Sequence, residues 1–292
     1  MPTGLVMRSH SDLHLVRVEG AVVHCRVRGR LKLGDDRVLT GDWVEVSLLR
    51  DGTGVIESVR PRKNRLVRPP VANVDQAVVV YTLREPEANP SLVDRLLVLV
   101  SCAGVEPLLC LNKIDLLSGE EVQASLDYYR GLGYYALATS AREGLGLENL
   151  APRLSGRVSV FCGQSGVGKS TLLNALRPGL RLRTAELSPR GGRGRHTTRG
   201  CELLELDRDA LVVDTPGFTA LELRGVERRE LVGHLPEMAP YLGACRFPDC
   251  LHDVEPGCAV KEAVEEGRVP RLRYQSYLEM LREIKAQEAR RY

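Results

Sequence analysis

The sequence has few lysines, few aromatic residues and no long apolar segment. It contains 6 Lys against 35 Arg, and aromatic side chains make up 4% of its 292 residues, with a single Trp. Its longest apolar runs, such as residues 96–100, are far shorter than the ~20 residues that a membrane-spanning helix requires. The first residues lack the apolar segment and cleavage site of a secretory signal. We therefore expect a cytoplasmic protein that binds no membrane.

Composition also bears on disorder and on disulfides. Hydrophobic residues make up 43% of the chain, which is too many for a disordered protein. The 8 cysteines would be reduced in the cytoplasm, so a cysteine cluster indicates a metal site rather than disulfides. The excess of Arg over Lys is attributed mainly to codon bias, which makes the position of each remaining Lys informative.

Charge is distributed unevenly along the chain. Residues 1–68 carry 13 basic and 8 acidic side chains, and residues 177–199 carry seven Arg and one Glu. Residues 222–267 carry 5 basic and 10 acidic side chains, and residues 268–292 carry 7 basic and 3 acidic ones. Basic blocks separated by an acidic one are typical of a protein that contacts a polyanion at several places. An ordinary solvated surface would show the same pattern, so charge alone leaves both interpretations open.

Residues 1–68 show the pattern of a small β-barrel. Short Val- and Leu-rich runs alternate with glycine-containing turns. In residues 23–28, Val23, Cys25 and Val27 would share one face, and His and Arg residues the other. About five strands in so short a segment predict an OB-fold, which binds oligonucleotides in many proteins. Its Arg residues would contact RNA phosphates or simply face water, and a basic edge favours RNA: Arg60, Arg62, Lys63, Arg65 and Arg68.

The rest of the chain divides into two further segments. In residues 69–220, apolar strands alternate with helical stretches, which predicts an α/β domain with a parallel sheet. Residues 221–292 are expected to be helical apart from one Cys-rich patch. We therefore predict three domains, with boundaries near residues 68 and 220: an OB-fold RNA-binding domain, a nucleotide-binding domain and a helical metal-binding domain.

A phosphate-binding loop is predicted at residues 163–170. Their sequence, GQSGVGKS, matches the pattern G-x-x-x-x-G-K-[ST] between an apolar strand and a helical run. In such a loop the backbone N–H groups surround the phosphates. Lys169 would bridge the terminal phosphates, and the Ser170 hydroxyl would coordinate Mg²⁺.

Three further motifs follow apolar strands and indicate a guanine nucleotide. Residues 214–217 read DTPG, in which Asp214 would hold Mg²⁺ and Gly217 would meet the γ-phosphate. Residues 112–115 read NKID, in which the Asp115 carboxylate would accept hydrogen bonds from guanine N1–H and the 2-amino group. In the TSA motif of residues 139–141, a backbone N–H would face guanine O6.

These motifs resemble those of translation-factor-class GTPases, but their order differs. The guanine motifs precede the phosphate motifs here, which a circular permutation explains because all of these loops lie at the carboxyl ends of strands. A Thr hydroxyl of the intervening Arg-rich loop is expected to bind Mg²⁺, and Thr198 is favoured over Thr197. Ser170, Thr198 and Asp214 are expected to hold magnesium. The predicted GTP-binding residues are Asn112, Lys113, Ile114, Asp115, Ser140, Ala141, Gly163, Gln164, Ser165, Gly166, Val167, Gly168, Lys169, Ser170, Thr171, Thr198, Asp214 and Gly217.

The catalytic group is not identified by these motifs. Phe218 follows DTPG, where many GTPases have a Gln that orients the attacking water. Intrinsic hydrolysis should therefore be slow, with the missing group supplied by another residue or by a partner. His196 is a candidate for this role, or a loop histidine with no catalytic role.

A closed metal site is predicted near the C-terminus. Cys245, Cys250, His252 and Cys258 place four soft or borderline ligands within 14 residues, which suits one structural Zn²⁺ in tetrahedral coordination. The other five cysteines lie in apolar runs and are expected to be core residues.

Together these features resemble the ribosome small subunit-dependent GTPase A family over essentially the whole chain. The resemblance implies an N-terminal OB-fold, a circularly permuted GTPase domain and a helical zinc-binding domain. It also implies a GTPase that binds the small ribosomal subunit and its rRNA, acts late in the subunit's maturation and is stimulated by it. Some members carry a histidine shortly after DxxG, which this chain lacks until His234. We expect a monomer.

Two alternatives remain open from the sequence. One is a permuted GTPase that acts on the large subunit or on another RNA. The other is a zinc-containing RNA-binding protein whose nucleotide site is only regulatory.

Overall fold

The computed structural model describes residues 1–10, 12–29, 37–66, 69–180, 201–207, 209–214, 223 and 225–290. No helix within these ranges is both long and apolar enough to cross a bilayer. The predicted boundaries near residues 68 and 220 fall at or beside positions outside these ranges, and they stay a prediction.

The N-terminal region is a closed five-stranded barrel. Strand β1 pairs antiparallel with both β2 and β4, β2 pairs antiparallel with β3, β3 pairs parallel with β5, and β4 pairs antiparallel with β5. This closure confirms the predicted OB-like barrel. The strands are β1 (Thr3–His10), β2 (Leu13–Val18), β3 (Ala21–Val27), β4 (Trp43–Leu48) and β5 (Gly54–Val59).

Alternating side chains fill the barrel interior. In β3, Cys25 is buried and Val23 and Val27 pack against the barrel core, whereas His24 and Arg26 are exposed. Gly54 is required by close packing, because a Cβ there would lie 2.8 Å from the Cys25 sulfur. The period-two pattern of the sequence therefore sets the two faces of this strand.

The central region is a sheet covered by helices on both faces. Its strands run in the order β10-β9-β8-β11-β13-β12, and all neighbours are parallel except β12, which is antiparallel to β13. All six residues of β8 are buried, as expected for a parallel strand covered on both faces. The strands are β8 (Gln76–Tyr81), β9 (Glu106–Leu111), β10 (Tyr135–Ala138), β11 (Val158–Cys162), β12 (Glu202–Asp207) and β13 (Ala210–Asp214), preceded by a small hairpin of β6 (Arg65–Leu66) and β7 (Val71–Ala72).

Two of the helices in this region begin at side-chain caps. The Asn89 side chain accepts a hydrogen bond from the Leu92 N–H and precedes a proline at the first helical position of α1. Ser118 and Glu121 form a reciprocal capping box at the start of α2. Each cap stabilises its helix by about 1 kcal/mol. The helices are α1 (Pro90–Cys102), α2 (Gly119–Gly131), α3 (Leu147–Leu154) and α4 (Lys169–Leu176).

The barrel and the central sheet are joined edge to edge. β12 pairs with β1 at Glu202 and Arg8, so that the hydrogen-bonded strands form one sheet of eleven. The Thr40 hydroxyl donates to the Cys201 carbonyl at 2.8 Å across the same junction. The strand next to β13 therefore touches the barrel directly.

The C-terminal region packs two helices and short 3-10 turns against α1. α5 (Ala259–Glu265) and α6 (Arg271–Ala289) enclose an apolar cluster that includes Val98 of α1, and Tyr277, Leu281 and Ile284 are buried in it. The 3-10 turns cover Leu231–His234 and Ala239–Tyr241.

A buried ion cluster fixes α6 against α1. Arg273 is fully buried and donates to Asp94 and Glu237 at 2.6 Å each, and to the Tyr134 hydroxyl at 3.0 Å. Ser276 donates to the second Asp94 oxygen at 2.7 Å. Burial disfavours the charged guanidinium, but the hydrogen bond that Arg273 donates to Glu237 and the charge of Asp94 raise the pKa of Arg273 overall. The cluster fixes the helices' relative geometry more than it adds stability, because desolvation offsets most of the attraction.

Candidate nucleotide site and candidate metal site

The phosphate-loop motif connects β11 to α4 in a conformation that requires glycine. Gly163 has φ +142°, and a Cβ there would lie 2.1 Å from the Val80 carbonyl oxygen. At Gly168, with φ +93°, a Cβ would lie 2.5 Å from the Asn112 side-chain nitrogen. These glycines let the loop turn tightly at the end of the strand. The tip of the loop, residues 164–166, is exposed and open to a ligand.

Lys169 folds back over this loop. Its Nζ donates to the carbonyl oxygens of Gly163 at 2.9 Å and Gln164 at 2.8 Å. Burial lowers the pKa of Lys169, since the ammonium is partly withdrawn from water. A phosphate oxygen would offset that cost because it supplies a full negative charge. Ser170 is half-buried in the first turn of α4, and Thr171 is exposed beside it.

Asn112 ties three loops together. It is 1% exposed, and its Nδ2 donates to the Val167 carbonyl of the phosphate loop at 2.8 Å. Its Oδ1 accepts hydrogen bonds from the Thr139 hydroxyl and the Ala141 N–H, both at 3.1 Å. The structure thus brings the NKID, TSA and phosphate-loop motifs together at one edge of the sheet. The Ala141 N–H, one candidate to face guanine O6, points to Asn112 here.

The Asp115 side chain is exposed in the loop that follows β9. The buried Ser140 hydroxyl donates to its Oδ1 at 2.5 Å and accepts a hydrogen bond from the Glu143 N–H at 3.2 Å. Ile114, between Asp115 and Lys113, is half-buried, and its N–H donates to the Thr139 carbonyl at 3.2 Å. The carboxylate is therefore held in a fixed orientation on a loop anchored to the neighbouring strand.

Lys113 extends alongside the phosphate loop. It has φ +62°, and its Cε lies 4.0 Å from where a Gly168 Cβ would be. Its Nζ contacts the Glu85 carbonyl oxygen in the loop after β8. This arrangement suits a lysine whose aliphatic stem lies along a bound base.

Some predicted site residues lie outside the described ranges. These are His196, Thr198, Gly217 and Phe218. Asp214 is the last residue of β13, whose Val213 pairs with Val160 of β11, so its backbone lies at the same sheet edge as the phosphate loop.

The four predicted metal ligands converge in the C-terminal region. Within the described residues, Cys245, Cys250, His252 and Cys258 form a group whose ligand atoms all lie within 4.8 Å of one another. The His252 Nδ1 lies 3.5 Å from Cys245 Sγ and 3.3 Å from Cys258 Sγ, and these two sulfurs are 3.9 Å apart. Ligands of a tetrahedral Zn²⁺ lie about 3.5 to 3.8 Å apart. The cluster therefore fits a metal ion of this size.

Surrounding groups hold the cluster in place. Tyr274 and Tyr277 of α6 donate to the carbonyls of His252 and Leu251 at 2.7 and 2.6 Å. Burial lowers the pKa of His252, which favours the neutral imidazole that a metal requires. Burial raises the pKa of Cys250 to about 12, and a bound cation would reverse this effect.

Comparison with known proteins covers nearly the whole chain. The model of the RsgA GTPase family matches residues 59–224, and that of the RsgA N-terminal domain matches residues 3–56. A protein of Caldanaerobacter subterraneus subsp. tengcongensis, named small ribosomal subunit biogenesis GTPase RsgA, is 46% identical over 99% of this chain and 98% of its own. One of the same name from Moorella thermoacetica is 47% identical over 98% of each chain.

Two solved structures agree with this match. The crystal structure of YjeQ from Thermotoga maritima superposes with a TM-score of 0.86 at 40% identity, covering 97% of this chain and 98% of that one. The structure of YloQ, described as a circularly permuted GTPase, gives 0.83 at 36% identity, covering 98% and 96%.

The chain belongs to the RsgA GTPase family. It is therefore an enzyme that hydrolyses GTP, and the family implies a bound nucleotide with Mg²⁺. The predicted permutation is confirmed as well. In this family member the NKID and TSA loops after β9 and β10 precede the phosphate loop in the chain, yet the sheet order brings all three to one edge, with only β8 between β9 and β11.

Sequence reasoning missed one part of this site, the loop of residues 82–89 after β8. Its Glu85 carbonyl contacts Lys113, and Pro86 Cδ would lie 3.7 Å from a Gly166 Cβ. The Thr82 hydroxyl donates to the Pro86 carbonyl at 2.9 Å and shapes the turn. β8 lies between β9 and β11, so its carboxyl end borders the NKID loop on one side and the phosphate loop on the other. The apolar strand at residues 75–83 was a usable signal for this position.

Proposed function

We propose that this GTPase binds the small ribosomal subunit, assists its late maturation and hydrolyses GTP faster when bound to it. The observation that carries the proposal is the match, over 98–99% of the chain, to relatives named for small ribosomal subunit biogenesis. The direct pairing of β12 with the barrel supports it, because the barrel then adjoins the strand next to the nucleotide loops. The protein would act in the cytoplasm and as a monomer.

In the proposed GTP site, Lys169 neutralises the terminal phosphates, and Ser170, Thr198 and Asp214 hold Mg²⁺. The backbone of residues 163–168 and of Thr171 surrounds the phosphates, and Gly217 meets the γ-phosphate. Asn112, Lys113, Ile114, Ser140 and Ala141 shape the base pocket around Asp115. Two contacts support this assignment: Asn112 links the base loop to the phosphate loop, and the Lys169 ammonium lies against the backbone of the phosphate loop.

Hydrolysis in this proposal depends on the partner. Phe218 cannot orient a water molecule, so the group that does so comes from another residue, with His196 as a candidate, or from the subunit. The rRNA would be contacted by the basic parts of the chain, beginning with the barrel. One structural Zn²⁺ would occupy the Cys245, Cys250, His252 and Cys258 cluster, which all four ligands close.

Asp115→Asn is expected to change the preferred base. An amide in place of the carboxylate cannot accept from both guanine donors, whereas it can donate to the additional oxygen of xanthine. GTP affinity should fall about 100-fold or more, while xanthosine triphosphate should bind better than it does to the wild type. Competition binding with both nucleotides measures this shift. Asp127→Asn, on the exposed face of α2, is the matched control, and unchanged GTP preference in Asp115→Asn would refute the assignment.

The proposed partner is tested by co-sedimentation with purified small subunits. Binding should be strong with a non-hydrolysable GTP analogue and weak with GDP, because nucleotide state would set affinity for the subunit. Large subunits serve as the control particle. Equal binding in both nucleotide states would contradict the proposal and favour an RNA-binding protein whose nucleotide site is only regulatory. A preference for large subunits would contradict it and favour a permuted GTPase that acts on the large subunit.

A further inference from the structure

The single tryptophan of the chain is exposed on the barrel. Trp43 begins β4 and has a relative exposure of 46%, whereas Val44 and Val46 of the same strand are fully buried. Its neighbour across the strand pair is Leu5 of β1, which is buried in the core cluster of the central sheet. Trp43 therefore lies on the outer barrel face, beside the junction with the GTPase region.

An exposed arginine, Arg60, lies across the strand pair from this tryptophan. The Arg60 N–H donates to the Trp43 carbonyl at 2.8 Å, and the exposed Arg60 guanidinium reaches Glu45 only at 3.9 Å. Arg62 binds the carboxylate of Asp42, next to Trp43, at 2.8 and 2.9 Å, and donates to the Arg37 carbonyl at 2.7 Å. Residues 60–62 thus run alongside the start of β4.

The barrel segment carries a net positive charge. Residues 1–68 have 13 basic and 8 acidic side chains. Asp42 is buried and paired with Arg62, and Asp75 pairs with Lys63 at 3.2 Å, whereas the exposed Arg60 guanidinium reaches Glu45 at 3.9 Å. An exposed indole beside an exposed guanidinium, on a segment of net positive charge, fits a single-stranded nucleic acid better than an apolar protein surface.

We infer that Trp43 is a stacking platform for an unpaired RNA base, with Arg60 contacting an adjacent phosphate. This inference rests on the proposed binding of the small subunit and names one contact of the barrel with its RNA. An indole offers a large flat face to any base, so the contact selects single-stranded RNA with little sequence preference.

The lone tryptophan gives a direct readout of this contact. A 12-nucleotide single-stranded RNA of mixed sequence should quench the fluorescence of Trp43 in the full-length protein, saturably and at the same concentration at which it binds. Trp43→Leu should weaken RNA binding roughly 10- to 100-fold. Trp43→Phe should retain most of the affinity, because a phenyl ring still stacks. Leu48→Ala, at an exposed position of the same strand, should bind as the wild type does.

Two controls separate stacking from charge and folding. Heparin, a polyanion without bases, should bind wild type and Trp43→Leu equally and should not quench. Basal GTP hydrolysis should be the same in all these variants. Three results would each overturn the inference. Trp43→Leu could lose heparin and RNA binding equally, or it could bind RNA within twofold of the wild type. The wild type could bind RNA without quenching of its fluorescence.

Small subunits distinguish this inference from the proposed function. If wild type binds them and Trp43→Leu binds within twofold of it, the stacking inference fails alone. If Trp43→Leu loses affinity for subunits but not for RNA, a protein covers Trp43 and the inference is equally overturned. Failure of wild type to bind subunits would refute the proposed function, and the inference with it.

Discussion

Lys169→Ala is expected to lower GTP turnover by about 100- to 1,000-fold, the effect of losing one preorganised charge at the reacting group. The Lys169 ammonium lies at the start of α4 and binds two carbonyls of the phosphate loop. Alanine leaves the terminal phosphates without that cation in a partly buried site. Steady-state release of phosphate, measured with nucleotide affinity, checks the prediction.

Two further substitutions show whether charge alone accounts for the effect. Lys169→Arg keeps the positive charge but replaces a compact ammonium with a planar fork, and its turnover should also fall at least tenfold. Lys261→Ala, on α5 near the metal cluster, should leave turnover unchanged. Turnover in Lys169→Ala within threefold of wild type would contradict the assigned role.

Removal of the proposed Zn²⁺ is expected to have the largest effect on stability. Zinc contributes about 10 to 16 kcal/mol to the folding of small zinc-binding peptides. The effect should be smaller here, on the order of several kcal/mol, because the C-terminal helices also share a buried apolar cluster with α1. Cys258→Ala or a strong chelator should therefore lower the melting temperature and release the tyrosine contacts that hold residues 251–252.

Elemental analysis and thermal melting measure this prediction together. Purified wild type should contain close to one equivalent of zinc, and Cys258→Ala much less. Cys102→Ala is the matched control, since this half-buried cysteine lies on α1 against the same apolar cluster but outside the ligand set. Well below one equivalent of any metal in wild type, or no change in melting with chelator, would refute the site.

The nucleotide site was largely predictable because its motifs depend on a general property of parallel sheets. Loops at the carboxyl ends of parallel strands lie at the same edge of the sheet, so GQSGVGKS and NKID could be placed at one edge without any contact being known. The hydrogen bond from Asn112 to the Val167 carbonyl could not be predicted from the sequence, because it depends on which strands are neighbours and on the geometry of the loops. The loop of residues 82–89 was missed for the same reason.

The connections between the three regions were not predictable from sequence. The pairing of Arg8 with Glu202 joins strands almost 200 residues apart, and no local pattern marks such an edge. The burial of Arg273 is equally unexpected, since arginine is a surface residue in most contexts and only Asp94, Glu237 and Tyr134 make burial tolerable. Composition and spacing describe each element, whereas these contacts depend on the assembled fold.

The distribution of lysine illustrates the same distinction. Lys113 and Lys169 are two of only six lysines in the chain, and both lie at the nucleotide loops. Their position supports the interpretation that an ammonium was required there despite the arginine bias. Lys63, Lys261 and Lys285 also make specific hydrogen bonds elsewhere, so scarcity of lysine alone does not identify the site.

The most direct test of the account is GTP turnover by the purified protein with and without small ribosomal subunits. We expect slow basal hydrolysis and at least a tenfold increase when small subunits are added, with no comparable increase from large subunits. The increase should disappear in Lys169→Ala. Turnover that small subunits leave unchanged would contradict the proposal that this GTPase acts on them.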